Sequence, residues 1–160
     1  MSFRTLRLLT VSVVGLANMS CSKSSTSITG VASVNAFNAT ITGGAAGTYT
    51  GIASATVAGG VQNVTLGTTD TKLALSFSRT GSKFTVGTFT LGDNLLTQYV
   101  ASLSINNGAS LYGSTGGTIT NTSVTSTQVK ATFNFQGKLN NGSTTNAVTG
   151  DFVATCALGC

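Results

Sequence analysis

Three cysteines, three aspartates and one short cluster of cations hold most of the reactive chemistry of this 160-residue chain. Cys21 closes the stretch MSFRTLRLLTVSVVGLANMSC, in which Arg4 and Arg7 form a basic start, residues 8–17 are apolar and uncharged, and small residues precede the thiol. That is the grammar of a bacterial export signal. A cysteine in this place is the acceptor of a diacylglyceryl group, added before the signal is cut away. Ser20 and Cys21 fit the usual lipid-acceptor box, whereas Asn18 and Met19 stand where it has Leu and a small residue. Ordinary cleavage after Ala17, with Gly15 and Ala17 as the small residues, is the competing reading. The polar run Ser22-Lys23-Ser24-Ser25-Thr26-Ser27 suits a flexible tether.

An odd cysteine count in an exported chain calls for an explanation. With Cys21 spent on lipid, Cys156 and Cys160 remain as an even pair. Gly159 between them can take a positive φ and turn the chain so that the sulfurs meet. A ring that small contributes only about 2 kcal/mol through loop entropy, so it pins the end of the domain rather than holding the fold. Two thiols without any His fall short of a zinc set, and no metal site is expected.

Acid–base catalysis has little to work with. The chain has no His and no Glu, so a Ser or Cys nucleophile would lack its usual general base. Asp70 falls in a Thr-rich turn, Asp93 in Gly92-Asp93-Asn94, and Asp151 in a strand beside Phe152. Aspartates in turns commonly bond their own backbone, which accounts for the first two. Ser20-Cys21-Ser22-Lys23 matches an S-x-x-K pattern by its letters, but it straddles the signal cleavage point and lacks partner motifs. No phosphate-cradling glycine motif or EF-hand loop occurs. The expectation is a protein that is not an enzyme and carries no cofactor.

The candidate ligand contacts are Lys72, Arg79 and Lys83, which cluster around one expected hairpin, and the aromatic faces of Tyr49, Tyr99 and Tyr112. The cations would suit lipid phosphates or an anionic glycan, and the tyrosines a glycan or small ligand. A solvated loop and a buried core account for the same residues without any ligand. Thr-x-Thr pairs such as those at Thr40, Thr48, Thr88 and Thr118 raise the idea of a crystal-binding face. Their separations share no common repeat, so wet strand faces explain them more simply.

These residues must be positioned by strands. Beyond the signal, the cations Lys23, Lys72, Arg79, Lys83, Lys130 and Lys138 stand against Asp70, Asp93 and Asp151, a mild positive excess. No basic block interleaved with aromatics appears, so a nucleic-acid partner is not expected. With no Pro, 20 Gly and only 7% charged residues, the composition is that of an all-β chain whose wet faces are Thr, Ser and Asn. Alternating segments read as strands over 28–37, 39–42, 48–57, 61–67, 72–78, 84–91, 99–105, 118–124, 128–139 and 147–155. Gly59-Gly60, Asn106-Asn107-Gly108 and 140–143 are hairpin turns, 79–83 is a hairpin loop, Thr115-Gly116-Gly117 is a break, and Gly87 is a β-bulge. The expected core is Leu73, Leu75, Phe77, Phe89, Leu103, Phe133, Phe135 and Phe152.

About nine or ten strands joined by short turns make an antiparallel meander, either a β-sandwich or a flattened barrel. The division is a signal helix over 1–20, a tether over 21–27 and one β domain over 28–160.

Gly117-Thr118-Ile119-Thr120, Thr132-Phe133-Asn134-Phe135 and Thr149-Gly150-Asp151-Phe152, with Gly87-Thr88-Phe89-Thr90-Leu91 upstream, resemble the strand motifs of a family of small exported Gram-negative lipoproteins of unknown function. Lys130-Ala131 departs from the family's Ser-Gly pair. The resemblance implies a lipobox, a polar tether and a β domain, and brings no catalytic residues. The resulting expectation is an envelope lipoprotein, anchored through lipid on Cys21 in the outer membrane, that acts as a structural or protein-interaction module. A small-ligand or glycan binder is the alternative, and the expected partners are the membrane and another envelope protein or a glycan.

Overall fold

A computed structural model describes residues 34–157 and 159–160. The signal, Cys21, the tether and the start of the first expected strand at Ile28 lie outside the described residues. Nine strands follow in order: β1 (Ala36–Gly43), β2 (Gly47–Ala58), β3 (Val61–Gly67), β4 (Leu73–Thr80), β5 (Gly87–Thr90), β6 (Val100–Ile105), β7 (Ser110–Val124), β8 (Gln128–Leu139) and β9 (Thr145–Cys156).

Strand pairing runs β7-β6-β4-β3-β2-β1-β9-β8 and closes on itself through β7–β8, so eight strands form an antiparallel barrel. The short ninth, β5, pairs with the second half of β7, from Thr90↔Thr118 to Gly87↔Asn121. The choice between sandwich and barrel is thus settled by edge pairing, which removes every free edge from the ring.

Alternation explains which side chains fill it. Leu73, Leu75 and Phe77 on β4, Ala101, Leu103 and Ile105 on β6, and Val129, Ala131, Phe133 and Phe135 on β8 all point inward and are buried. Phe77 sits at the centre of the aromatic cluster, with ring centroids 5.1 Å from Phe133, 5.9 Å from Phe135 and 6.3 Å from Phe152. Each such ring contributes roughly 1.5–3 kcal/mol by burial. Seven of the eight expected core residues are fully buried, and Phe89 packs at the edge of the core, half-buried. Outward positions are mostly Thr, Ser and Asn, the reverse of a membrane-spanning barrel, whose outer band is apolar.

Several local expectations are corrected. The first described strand is continuous through Asn38, not two pieces. Thr115-Gly116-Gly117 does not break the chain but bulges inside β7, the register shifting between Ser114 and Gly116. Gly117 holds φ at +133°, and a Cβ there would lie 2.2 Å from the Asn134 carbonyl, so only glycine lets β8 approach. The loop after β6 has four residues, 106–109, with Asn106, Asn107 and Gly108 all left-handed.

The largest correction concerns 79–91. Arg79 and Thr80 still belong to β4, and no hairpin joins β4 to β5. The edge of β4 is occupied by β6 from Leu73↔Ile105 to Ser78↔Val100. Residues 81–86 instead cross one end of the barrel, held by Gly81 N–H to Gly60 O at 2.8 Å and Phe84 N–H to Cys160 O at 2.9 Å, with Phe84 buried beneath. Gly87 opens β5 with φ at +147° rather than bulging within a longer strand. The 92–98 loop then hangs back toward the same end, where Thr80 N–H meets Leu95 O at 2.9 Å.

Candidate functional site

The expected cation cluster is divided by the strand that carries it. Lys72 precedes β4 and Arg79 lies near its other end, seven residues on, which is about 23 Å of extended chain. Lys72 belongs to a surface turn with Asp70, its Nζ 2.8 Å from Asp70 Oδ2, and the Lys72 amide donates to Asp70 Oδ1 at 3.2 Å. The hydrogen bond from Lys72, helped by Thr68, lowers the Asp70 carboxyl to about 2. Lys83 is exposed on the segment that crosses the barrel end.

The tyrosines do not form a surface platform. Tyr99 has no solvent exposure and Tyr112 is buried, so both are core residues, while Tyr49 is half-buried and packs against the core. Alternation decides this: Tyr99, just before β6, shares the inward parity of Ala101 and Leu103, and Tyr112 on β7 shares that of Ser114, before the bulge at Gly116 shifts the inward set to Ile119 and Asn121.

Arg79 is the predicted contact with an unusual setting. It continues the inward row Leu73, Leu75, Phe77, and register places it opposite Gln62 on β3. Its guanidinium lies 4.6 Å over the Phe89 ring and 5.8 Å from the Tyr99 ring centre. Tyr99 donates its phenol proton to Gln62 Oε1 at 2.6 Å, and Gln62 Nε2 donates to Lys83 O at 2.6 Å. Asn121, also inward and buried, donates to Thr85 O at 2.9 Å. Burial pushes the Tyr99 phenol up, against smaller downward pulls from Asn121 and Arg79. Gln62 and Asn121 gave no signal in sequence, because a polar residue at an inward position looks the same as one on a strand that faces water.

No protein-family model, curated protein or solved structure matches the chain. Function must therefore be read from the geometry of its own residues.

The three carboxylates stand apart. Asp70 is in the turn after β3, Asp93 in the loop after β5, and Asp151 on the outer face of β9 opposite Thr132 and Asn38. In the loop after β5 it is Asn94, not Asp93, whose side chain bonds the backbone, at Leu96 N–H, 3.0 Å away. Among the described residues no group of three His, Cys, Asp or Glu is placed to hold a metal ion. The Cys156–Cys160 disulfide is formed.

Pairing does what sequence spacing could not for the Thr-x-Thr pairs. Register aligns Thr90, Thr118, Asn134, Thr149, Thr40 and Thr48 in one outward row, and Thr88, Thr120, Thr132, Asp151, Asn38 and Thr50 in the next. These rows follow a closed barrel, so no single plane touches all of them. They make a continuous polar wall that supplies the wet face of the strands.

Two shallow depressions meet where β7 bulges, sharing Ser114 and Thr115. One, of about 590 Å³, lies between Gly113–Thr115 and the 138–143 turn, and the other, of about 380 Å³, is lined by Asp93, Gln98, Ser114 and Thr115. Ser114 is tied down by accepting from Ala101 N–H at 3.1 Å and donating to Gly92 O at 2.9 Å. Asp93, Gln98, Thr115, Lys138 and Asn140 offer hydroxyl, amide and charged groups there without an aromatic face.

Proposed function

We propose that the chain is a non-catalytic lipoprotein of the bacterial cell envelope. Residues 1–20 direct export, Cys21 carries the lipid, 21–27 form the tether, and the barrel is a structural or protein-interaction module held at the outer membrane. The resemblance to small exported Gram-negative lipoproteins agrees with this arrangement. The observation that carries the reading is the filled interior: Phe77, Phe133, Phe135 and Phe152 close the barrel axis with rings 5.1 to 6.4 Å apart. A partner is therefore met on the polar wall or at the barrel ends. The lack of His and Glu and the separation of the three aspartates support the non-catalytic reading.

The intact mass of the membrane-fraction protein tests the anchor. A chain beginning at Cys21 and carrying acyl chains supports it, and two acyl signals or more suffice for stable attachment. A soluble chain beginning at Asn18 without lipid overturns it. The interaction module is tested by co-purification from solubilised envelope of one defined partner, lost when Thr132→Lys and Thr149→Lys interrupt the wall.

A second reading, a small-ligand or glycan binder, is favoured by the paired depressions at Ser114–Thr115. It predicts a glycan-array or thermal-shift signal that disappears in Asp93→Asn combined with Asn140→Ala.

A further inference from the structure

Most of the large apolar side chains that face water gather at one end of the barrel. Among the described residues six are exposed, and four of these, Val34, Val86, Leu95 and Leu96, lie at the end crossed by residues 81–86. The other two, Ile52 and Leu111, stand on β2 and at the start of β7. Leu96 is 73%, Val34 67% and Val86 64% exposed. Single exposed apolar residues are ordinary, whereas several at one end of a barrel walled by Thr, Ser and Asn call for a cover. They stand apart around the rim: Val34 before β1, Leu95 and Leu96 in the loop beside the end of β4, and Val86 before β5. That spacing suits a broad, flat partner rather than a peptide seated in a groove.

The described chain enters at this same end. Asn35, next to Val34, accepts from the Thr155 amide at 3.1 Å, and Thr155 precedes Cys156, whose bridge partner Cys160 meets Phe84 of the crossing segment. Residues 22–33 separate Val34 from Cys21 and span at most about 45 Å. A 12-residue strand such as β8 is itself about 40 Å long, so laying the opposite end on a surface that holds Cys21 would use most of that tether. Charge favours the same end. Lys83 is exposed there, and Lys130 on the outer face of β8 and Arg79 stand close behind it. The aspartates lie elsewhere: Asp70 is paired with Lys72 beyond the other end of β4, Asp151 is midway along β9, and Asp93 lines the depression at Ser114 and Thr115. Cations at the rim of an apolar face attract anionic headgroups.

We propose that this end of the barrel, with Val34, Val86, Leu95 and Leu96 around the rim and Lys83 among them, docks on an anionic lipid surface. The inference rests on the reading of Cys21 as the anchor and adds which end of the barrel faces the membrane. The apolar side chains enter the headgroup boundary while Lys83 meets lipid phosphates. So few side chains bind lipid weakly by themselves. A tether makes the contact intramolecular, at an effective concentration on the order of millimolar, which favours the docked orientation. The turns at the opposite end then face away from lipid, open to a protein partner.

The chain has no Trp, so a single introduced one reports its own surroundings. Expressed from Asn18 with the Cys156–Cys160 bridge formed, the chain keeps Cys21 as its one free thiol. Coupling that thiol to a maleimide lipid ties the barrel to a vesicle whether or not the native protein is acylated. The vesicles are phosphatidylethanolamine and phosphatidylglycerol with brominated acyl chains. Leu96→Trp and Val86→Trp should emit at shorter wavelength and be quenched, whereas Leu111→Trp, toward the other end, should stay unquenched. Lys83→Gln added to Leu96→Trp should lower the docked-to-free ratio about fivefold, the effect of losing roughly 1 kcal/mol. Unquenched emission from both rim positions, or equal quenching of Leu111→Trp, overturns the docking face and leaves the rim to a protein partner. An unchanged ratio in Lys83→Gln overturns the part given to charge. None of these results depends on native acylation, which the mass of the membrane-fraction protein decides separately.

Discussion

Tyr99 and Gln62, 37 residues apart in sequence, share a 2.6 Å hydrogen bond inside the barrel, from the phenol of one to Oε1 of the other. The bond joins the start of β6 to β3 across the end of β4. It is one of the few polar links in an otherwise apolar interior, so its loss should be felt. Tyr99→Phe leaves Gln62 Oε1 buried and unpaired, and should lower stability by about 1–3 kcal/mol in denaturant unfolding. Adding Gln62→Leu removes the orphaned acceptor. The double variant should therefore be less destabilised than the sum of the two singles, which a double-mutant cycle measures.

Burial also governs how Tyr99 titrates. Its folded pKa is raised, so the folded state holds the phenol proton more tightly than the unfolded chain does. The associated stability is fully present below the ordinary tyrosine pKa of about 10 and is lost as pH rises beyond it through the raised folded value. Ultraviolet difference titration should show one phenol ionising later than the others. Arg79→Met should delay it further, because the cation beside it favours the phenolate.

Asp70 behaves in the opposite sense. Its carboxyl is held at about 2, below its ordinary value of 3.8, so its pairing with Lys72 favours the folded state above the unfolded pKa and is lost as pH falls through the folded one. Carboxyl NMR should place this midpoint near 2. Lys72→Met should move it upward toward 3.8, and so should high salt, since the pair is fully exposed.

The Phe133 ring lies against the bare backbone of Gly150, where a Cβ would come within 2.6 Å of the ring and 2.2 Å of the Asn38 carbonyl. Gly150→Ala should cost about 1–3 kcal/mol by overpacking. Gly67→Ala, at a strand end where a Cβ meets nothing within 4 Å, serves as the control and should change stability little. Thermal unfolding of the two variants side by side distinguishes close packing from a general intolerance of alanine.

Reduction of Cys156–Cys160 should lower stability by about 2 kcal/mol through release of a short loop. Phe84 N–H and Ser126 O both bond Cys160, at 2.9 and 3.1 Å. Reduction should therefore speed hydrogen exchange at Phe84 and at Cys160 itself, while amides in the middle of β8 stay protected.

Alternation in the sequence was enough to place Leu73, Leu75 and Phe77 on one face, to do the same for Val129, Ala131, Phe133 and Phe135, and to locate the Gly59-Gly60 turn. The cysteine spacing pointed to the bridge that the structure contains. These features are local: a strand alternates with period two whatever lies beside it. Edge partners are not local, and nothing in residues 84–91 shows that β5 pairs with β7 instead of β4. Tertiary structure alone decided that the ring closes, that Lys72 and Arg79 lie at opposite ends of one strand, and that Tyr99 and Tyr112 are buried. It also turned Arg79 from a loop cation into an inward one, because residue parity along β4 assigns a face but only closure of the barrel makes that face an interior.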